Sequence, residues 1–134
     1  MNKFILLATL YFSAVLFACK KEEKCSAGKG GSLTISAFPQ HHGRAIYNLP
    51  NYPDTIYVKY NTQESAGFSP ANYDTYFVGN SGEDHVHLEG LKCGDYYFLC
   101  AGYDSTINQR VVGGMPFSTD QKEGGIDLNI AVTE

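Results

Sequence analysis

The sequence predicts an all-β fold, a single antiparallel β-sandwich of about six or seven short strands. Three observations predict it. Tyrosine (10) and phenylalanine (8) are abundant and glycine numbers 14 of 134 residues, a mixture of strand formers and turn formers. No window of a dozen residues carries an i, i+3, i+4 apolar stripe, so no helix is expected. Several short segments alternate apolar and polar residues with period two between clusters of Gly, Pro and Asn.

Taken in order, SLTISAF (32–38) sets Leu33, Ile35 and Ala37 against Thr34 and Ser36, and TIYVKYN (55–61) sets Ile56, Val58 and Tyr60 against Tyr57 and Lys59. HVHLEGL (85–91) sets Val86 and Leu88 against His85, His87 and Glu89. DYYFLCAGY (95–103) is apolar on both parities, as in a central strand covered on both sides. RVVGGMPFS (110–118) reads as a strand in which Gly113, Gly114 and Pro116 mark a bulge or an edge. GIDLNIAVT (125–133) sets Ile126, Leu128, Ile130 and Val132 against Asp127 and Asn129. Residues 39–54 and 62–76 are left as two long loops, a length that in a compact domain usually serves function.

The N-terminus has a different character. Lys3 precedes the apolar run FILLATLYFSAVLFAC (4–19), too short and wrongly flanked for a membrane-spanning helix but suited to a secretory signal. Leu16-Phe17-Ala18-Cys19 closes the run and resembles the bacterial lipobox, where apolar and small residues precede the cysteine that becomes the new N-terminus. The resemblance implies a lipoprotein: residues 1–18 are a signal peptide and Cys19 is acylated, anchoring the chain to a membrane. Cleavage after Ala18 in an ordinary secreted protein is the alternative.

From Cys19 through KKEEKCSAGKGG, residues 19–31 carry charge and then glycine, and read as a flexible tether ahead of a domain spanning 32–134. Lys20-Lys21-Glu22-Glu23 is similar to the basic-then-acidic export signal of one group of Gram-negative bacteria, which implies display on the outer face of the outer membrane. A solvated spacer on a lipoprotein facing the periplasm is the other reading. Loss of residues 1–18 leaves 116 residues with 9 basic and 14 acidic side chains, room for one domain of net charge −5. That sign speaks against nucleic acid as a partner and against attraction to anionic lipid.

LEGLKCGDYYFLCAGYD (88–104) resembles a stretch of transthyretin-like, or prealbumin-like, domains, including carboxypeptidase-regulatory-like modules. Leu91, Gly94 and Tyr96 occupy the places of its L-x-x-G-x-Y pattern. The resemblance implies a prealbumin-like sandwich in which Tyr96 points inward, with an immunoglobulin-like sandwich as the alternative. It also implies a binding or scaffolding unit, with an envelope protein as one class of partner. The enzymatic branch of that family ends in Tyr-Arg-Gly-Ser and this chain ends in AVTE, so no catalytic activity is expected. The chain also lacks a G-x-S-x-G elbow, a glycine-rich phosphate loop and an H-E-x-x-H motif.

Three cysteines remain after Cys19. Cys93 and Cys100 are seven positions apart on and beside one strand, too far along it to pair. Cys100 shares parity with Tyr96 and Phe98 and reads as a small core residue, while Cys93 sits in a turn within reach of Cys25. Three free thiols are the alternative.

All four histidines lie in two pairs. His85 and His87 share one strand face, Glu89 extends the row, and His41 and His42 stand at the end of the first strand beside Gly43. If the two ends adjoin, the histidines and Glu89 form a site for a borderline divalent ion, Zn²⁺, Cu²⁺ or Ni²⁺. The plainer reading is a polar strand face and a polar turn. Tyr47, Tyr52, Tyr73 and Tyr76, with Asn48, Asn51, Asn72 and Asp74 among them, make the two loops candidates for stacking on a glycan or peptide.

Overall fold

The computed structural model describes residues 24–134, so the expectations for residues 1–18 and for Cys19 lie outside the described residues. Eight strands follow in order: β1 (Lys29–His41), β2 (Arg44–Ala45), β3 (Thr55–Tyr60), β4 (Thr75–Val78), β5 (Val86–Leu91), β6 (Gly94–Asp104), β7 (Gln109–Thr119) and β8 (Glu123–Val132). A single 3-10 turn at Pro70–Asn72 is the only helical element among the described residues. The protein is an all-β sandwich, as the alternation predicts.

β1 is the centre of the first sheet, with β5 and the short β2 antiparallel on one side and β8 parallel on the other. The second sheet has the order β4-β3-β6-β7 and is antiparallel throughout. The β1/β8 pair departs from the antiparallel expectation for a reason of chain direction. β5 runs against β1, and the chain then reverses into β6, into β7 and into β8. Three reversals return β8 to the direction of β1.

Period-two alternation fills the space between the sheets. Leu33, Ile35, Ala37, Val86, Leu88, Leu91 and Ile130 meet Ile56, Val58, Tyr96, Phe98 and Cys100, all fully buried. Each large apolar side chain so removed from water contributes about 1.5–3 kcal/mol. Phe98, Tyr96 and Phe117 pack as a triangle of rings, Phe98 lying 5.6 Å from each of the other two and those two 6.5 Å apart. The Tyr96 hydroxyl donates to the Lys92 carbonyl at 2.5 Å and accepts from the Gly28 N–H at 3.2 Å, so the one polar atom of this cluster is satisfied. The Cys100 thiol is free, and burial followed by the nearby Asp54 pushes its pKa well up.

The folded domain starts earlier than the composition of residues 19–31 implies. Ala27 is buried, β1 begins at Lys29, and a disulfide joins Cys25 to Cys93 in the β5–β6 corner. One of the glycines that suggest a tether, Gly31, serves close packing instead. A Cβ on Gly31 would lie 2.0 Å from the Leu91 carbonyl oxygen, a space only glycine leaves open.

The two long loops are shorter than expected. β1 continues through Pro39 to His41, β2 occupies two residues, and β4 takes Thr75–Val78 from the second loop. Strands of two and four residues carry too little period to be read from sequence. Gly113, Gly114 and Pro116 mark an edge and no bulge, because β7 keeps unbroken register with β6 on the outside of the second sheet.

Candidate functional site

Burial of Ile56, Val58, Phe98 and Cys100 turns the opposite parity of the second sheet outward. Thr55 and Tyr57 of β3, Tyr76 and Val78 of β4, Tyr97, Ala101 and Tyr103 of β6, and Val112 of β7 form that face. Two loop tyrosines complete it. Tyr52 stacks on Tyr103 with centroids 4.5 Å apart and planes 16° from parallel. Tyr73 tilts toward Tyr57 at 6.1 Å and donates its hydroxyl to the Gly67 carbonyl at 2.7 Å. Six of the ten tyrosines therefore share one surface.

Two shallow hollows cross this surface and share Thr55 and Tyr57. One, of about 320 Å³, lies among Tyr52, Tyr57, Tyr103, Arg110 and Val112; the other, of about 460 Å³, lies among Tyr57, Pro70, Tyr76 and Val78. Tyr76 and Tyr52 are 61% and 44% exposed, a large apolar area to leave in water.

The position of Tyr52 is set by Asn48, which is only 1% exposed. Its Oδ1 accepts from the Asp54 N–H at 2.7 Å and its Nδ2 donates to the carbonyls of Glu83 and His85, each at 3.0 Å. One side chain thus ties the Leu49–Tyr52 turn to the strand entry at β5. Asp54, next to the turn, is fully buried, and burial raises its carboxyl to about 6.

The structure separates the two histidine pairs. His41 has the inward parity of Leu33, Ile35 and Ala37, whereas His85 and His87 have the outward parity opposed to Val86 and Leu88. They occupy opposite faces of the first sheet, so a single four-histidine site does not exist in this fold. His41, 4% exposed, lies with Nδ1 2.8 Å from Asp104 Oδ2 and Nε2 2.7 Å from Glu134 Oε2. Both ring nitrogens face carboxylate oxygens, and the ring is held above the ordinary histidine pKa, chiefly by Asp104, with burial opposing and Glu134 adding. Asp104 is in turn held down to about 2 by Thr106 and then His41. His42, at φ 49°, is exposed and packs its ring 4.2 Å from that of His41. His41, His42 and Glu134 are near enough to share an ion, but both His41 ring nitrogens are engaged by carboxylates, one of them Asp104 outside that group.

On the outer face, His85 Nε2 and His87 Nε2 are 3.0 Å apart and the Glu83 carboxylate lies within 4.8 Å of both. Glu89 does not join this group. Leu88 and Leu91 both point inward, and the three-residue step between them is absorbed by a β-bulge with Gly90 at φ 72°. The alternation breaks after Glu89, which is exposed and stands outside the group of residues near enough to share an ion with the pair.

Of the loop tyrosines, the structure gathers Tyr52, Tyr73 and Tyr76 on the second sheet and leaves Tyr47 exposed elsewhere, followed directly by Asn48. The outward strand residues Tyr57, Tyr97 and Tyr103 complete the site and carry no motif. Their signal is the parity opposite to the core residues. Comparison with protein-family models, with curated proteins and with solved structures finds no match. The fold and site define a small disulfide-bonded β-sandwich with a tyrosine-paved sheet face.

Proposed function

We propose that this chain is a lipid-anchored envelope module, non-catalytic and prealbumin-like, that binds an extended glycan across the tyrosine face of its second sheet. The observation that carries the reading is the run of two hollows joined at Tyr57 and flanked by the Tyr52–Tyr103 stack and by Tyr76. Flat aromatic rings match the C–H faces of pyranose rings, and the phenol hydroxyls and the Arg110 guanidinium supply donors for sugar hydroxyls at the rim. Two adjoining hollows suit a chain of sugars better than a single one. The tyrosine rings spend little conformational entropy on binding because they have two rotatable bonds each.

The lipobox at Leu16–Cys19 supports the anchor, and the disulfide supports an oxidising compartment. Full burial of Leu91 and Tyr96 supports the prealbumin-like resemblance. A Cys19→Ser protein should take up no labelled palmitate, and uptake at the wild-type level would remove the anchor from this reading. The test of the site is a glycan-array screen followed by calorimetry on the hits with wild type, Tyr57→Ala and Tyr103→Ala. Loss of binding in both variants supports a glycan face. Absence of any glycan hit, or hits indifferent to both substitutions, overturns it.

A further inference from the structure

On the opposite side of the sandwich, and independent of the glycan reading, we propose that Glu83, His85 and His87 form a binding site for one divalent transition-metal ion, with Cu²⁺ the preferred occupant. The two imidazoles are placed by the fold. Val86 and Leu88 are fully buried, so β5 cannot rotate His85 and His87 off the outer face. The backbone on the N-terminal side is fastened as well, because the carbonyls of Glu83 and His85 both accept from Asn48 Nδ2 at 3.0 Å. Phe38 packs against the His85 ring with centroids 5.0 Å apart.

The proton arrangement favours coordination. His85 Nδ1 lies 2.9 Å from Asp84 Oδ1, so this nitrogen carries the proton and Nε2 presents its lone pair outward. That is the carboxylate–histidine relay found behind many metal-bound imidazoles, in which the outer carboxylate sets the tautomer and strengthens the ligand. The remaining contact, His85 Nε2 to His87 Nε2 at 3.0 Å, requires a proton on His87 Nε2. An entering ion replaces that proton, which moves to His87 Nδ1, and both nitrogens then face the metal.

Distance selects the ion. At metal–nitrogen bonds of about 2.0–2.1 Å, a nitrogen separation of 3.0 Å corresponds to an angle of about 95°. A near-right angle suits tetragonal Cu²⁺ or Ni²⁺, and Cu²⁺ leads the affinity order of the divalent series. Tetrahedral Zn²⁺ needs the rings to open by a few tenths of an ångström. Glu83 supplies the third donor: its Oε2 accepts from Asn80 Nδ2 at 3.1 Å, leaving the other oxygen for the ion. All three residues are partly exposed, so water completes the coordination, and Glu83 with Asp84 balances the charge of the ion.

The test is titration of the full-length protein, without a histidine tag, with CuCl₂, read by calorimetry and by the nitrogen hyperfine pattern in electron paramagnetic resonance. The expected result is one equivalent bound at micromolar Kd or tighter, with two nitrogens coupled. His87→Ala should weaken binding at least 100-fold, and Asp84→Asn about 10- to 100-fold with the ligands retained. His42→Ala should change nothing. Circular dichroism of each variant establishes that these surface substitutions leave the fold intact. Millimolar affinity in wild type, or equal losses in His42→Ala and His87→Ala, overturns the proposal.

Discussion

His41 of β1 and Asp104 at the end of β6 belong to different sheets and meet at 2.8 Å, with Glu134 2.7 Å from the other ring nitrogen. The bracketed imidazole closes one end of the sandwich, and its charge couples the closure to pH. The charged or titratable groups facing it are Asp104, Glu134 and His42. A histidine whose folded pKa is raised contributes stability that is complete below about 6.5, the unfolded value, and is lost as pH rises through the folded pKa. Asp104 acts at the other end of the scale: its contribution is present above the ordinary carboxylate value and is lost as pH falls toward about 2. Melting temperature should therefore decline above pH 6.5 in wild type, and His41→Gln should remove that decline. Parallel profiles for the two proteins would show that the latch carries no charge.

Asp54 gives a second pH window. Its carboxyl is raised to about 6 by burial, so between the ordinary 3.8 and 6 the folded chain holds a proton that the unfolded chain has released. Stability should fall as pH rises through that window. Asp54→Asn keeps the shape and removes the titration, and should flatten the melting-temperature profile between about pH 4 and 6. If the slope survives in the variant, another group is responsible.

Asn48 connects the Tyr52 turn to the entry of β5 through three hydrogen bonds. Asn48→Ala leaves buried backbone groups without partners and should cost roughly 2–4 kcal/mol in denaturant melts. Because the same side chain braces Tyr52 and His85, it should also weaken both glycan and Cu²⁺ binding. A loss below about 0.5 kcal/mol would mean that water replaces the amide at no cost.

Cys25 and Cys93 close a loop with a sequence separation of 68. Chain-entropy arguments put the stabilisation from a loop of that length at about 4 kcal/mol, and native disulfides of small domains commonly contribute 2–5 kcal/mol. Cys25→Ser should lower the stability measured by urea denaturation by that order and expose Ala27. Equal stability of the variant and wild type would show that residues 25–31 dock without the bond.

Local periodicity alone determined the class of fold and most of the core. Leu33, Ile35 and Ala37, Val86 and Leu88, and Ile56 and Val58 are legible as inward residues because a strand's side chains alternate whatever it pairs with. By the same alternation, His85 and His87 had to share a face. Apart from the reach of Cys93 to Cys25, the relations between distant segments lay beyond the sequence. The bulge at Gly90 exists only when β5 registers against β1, and Glu83, not Glu89, lies near enough to join His85 and His87. His41 turned inward because β1 runs on through Pro39, and its partners Asp104 and Glu134 arrive from 63 and 93 residues away. Tyr52, Tyr57, Tyr76 and Tyr103 became one surface only when β3 lay between β4 and β6. Periodicity is written into a strand by its own backbone geometry. Register, bulges and convergence are decided by the contacts that two strands make on meeting, and those depend on the whole closed core.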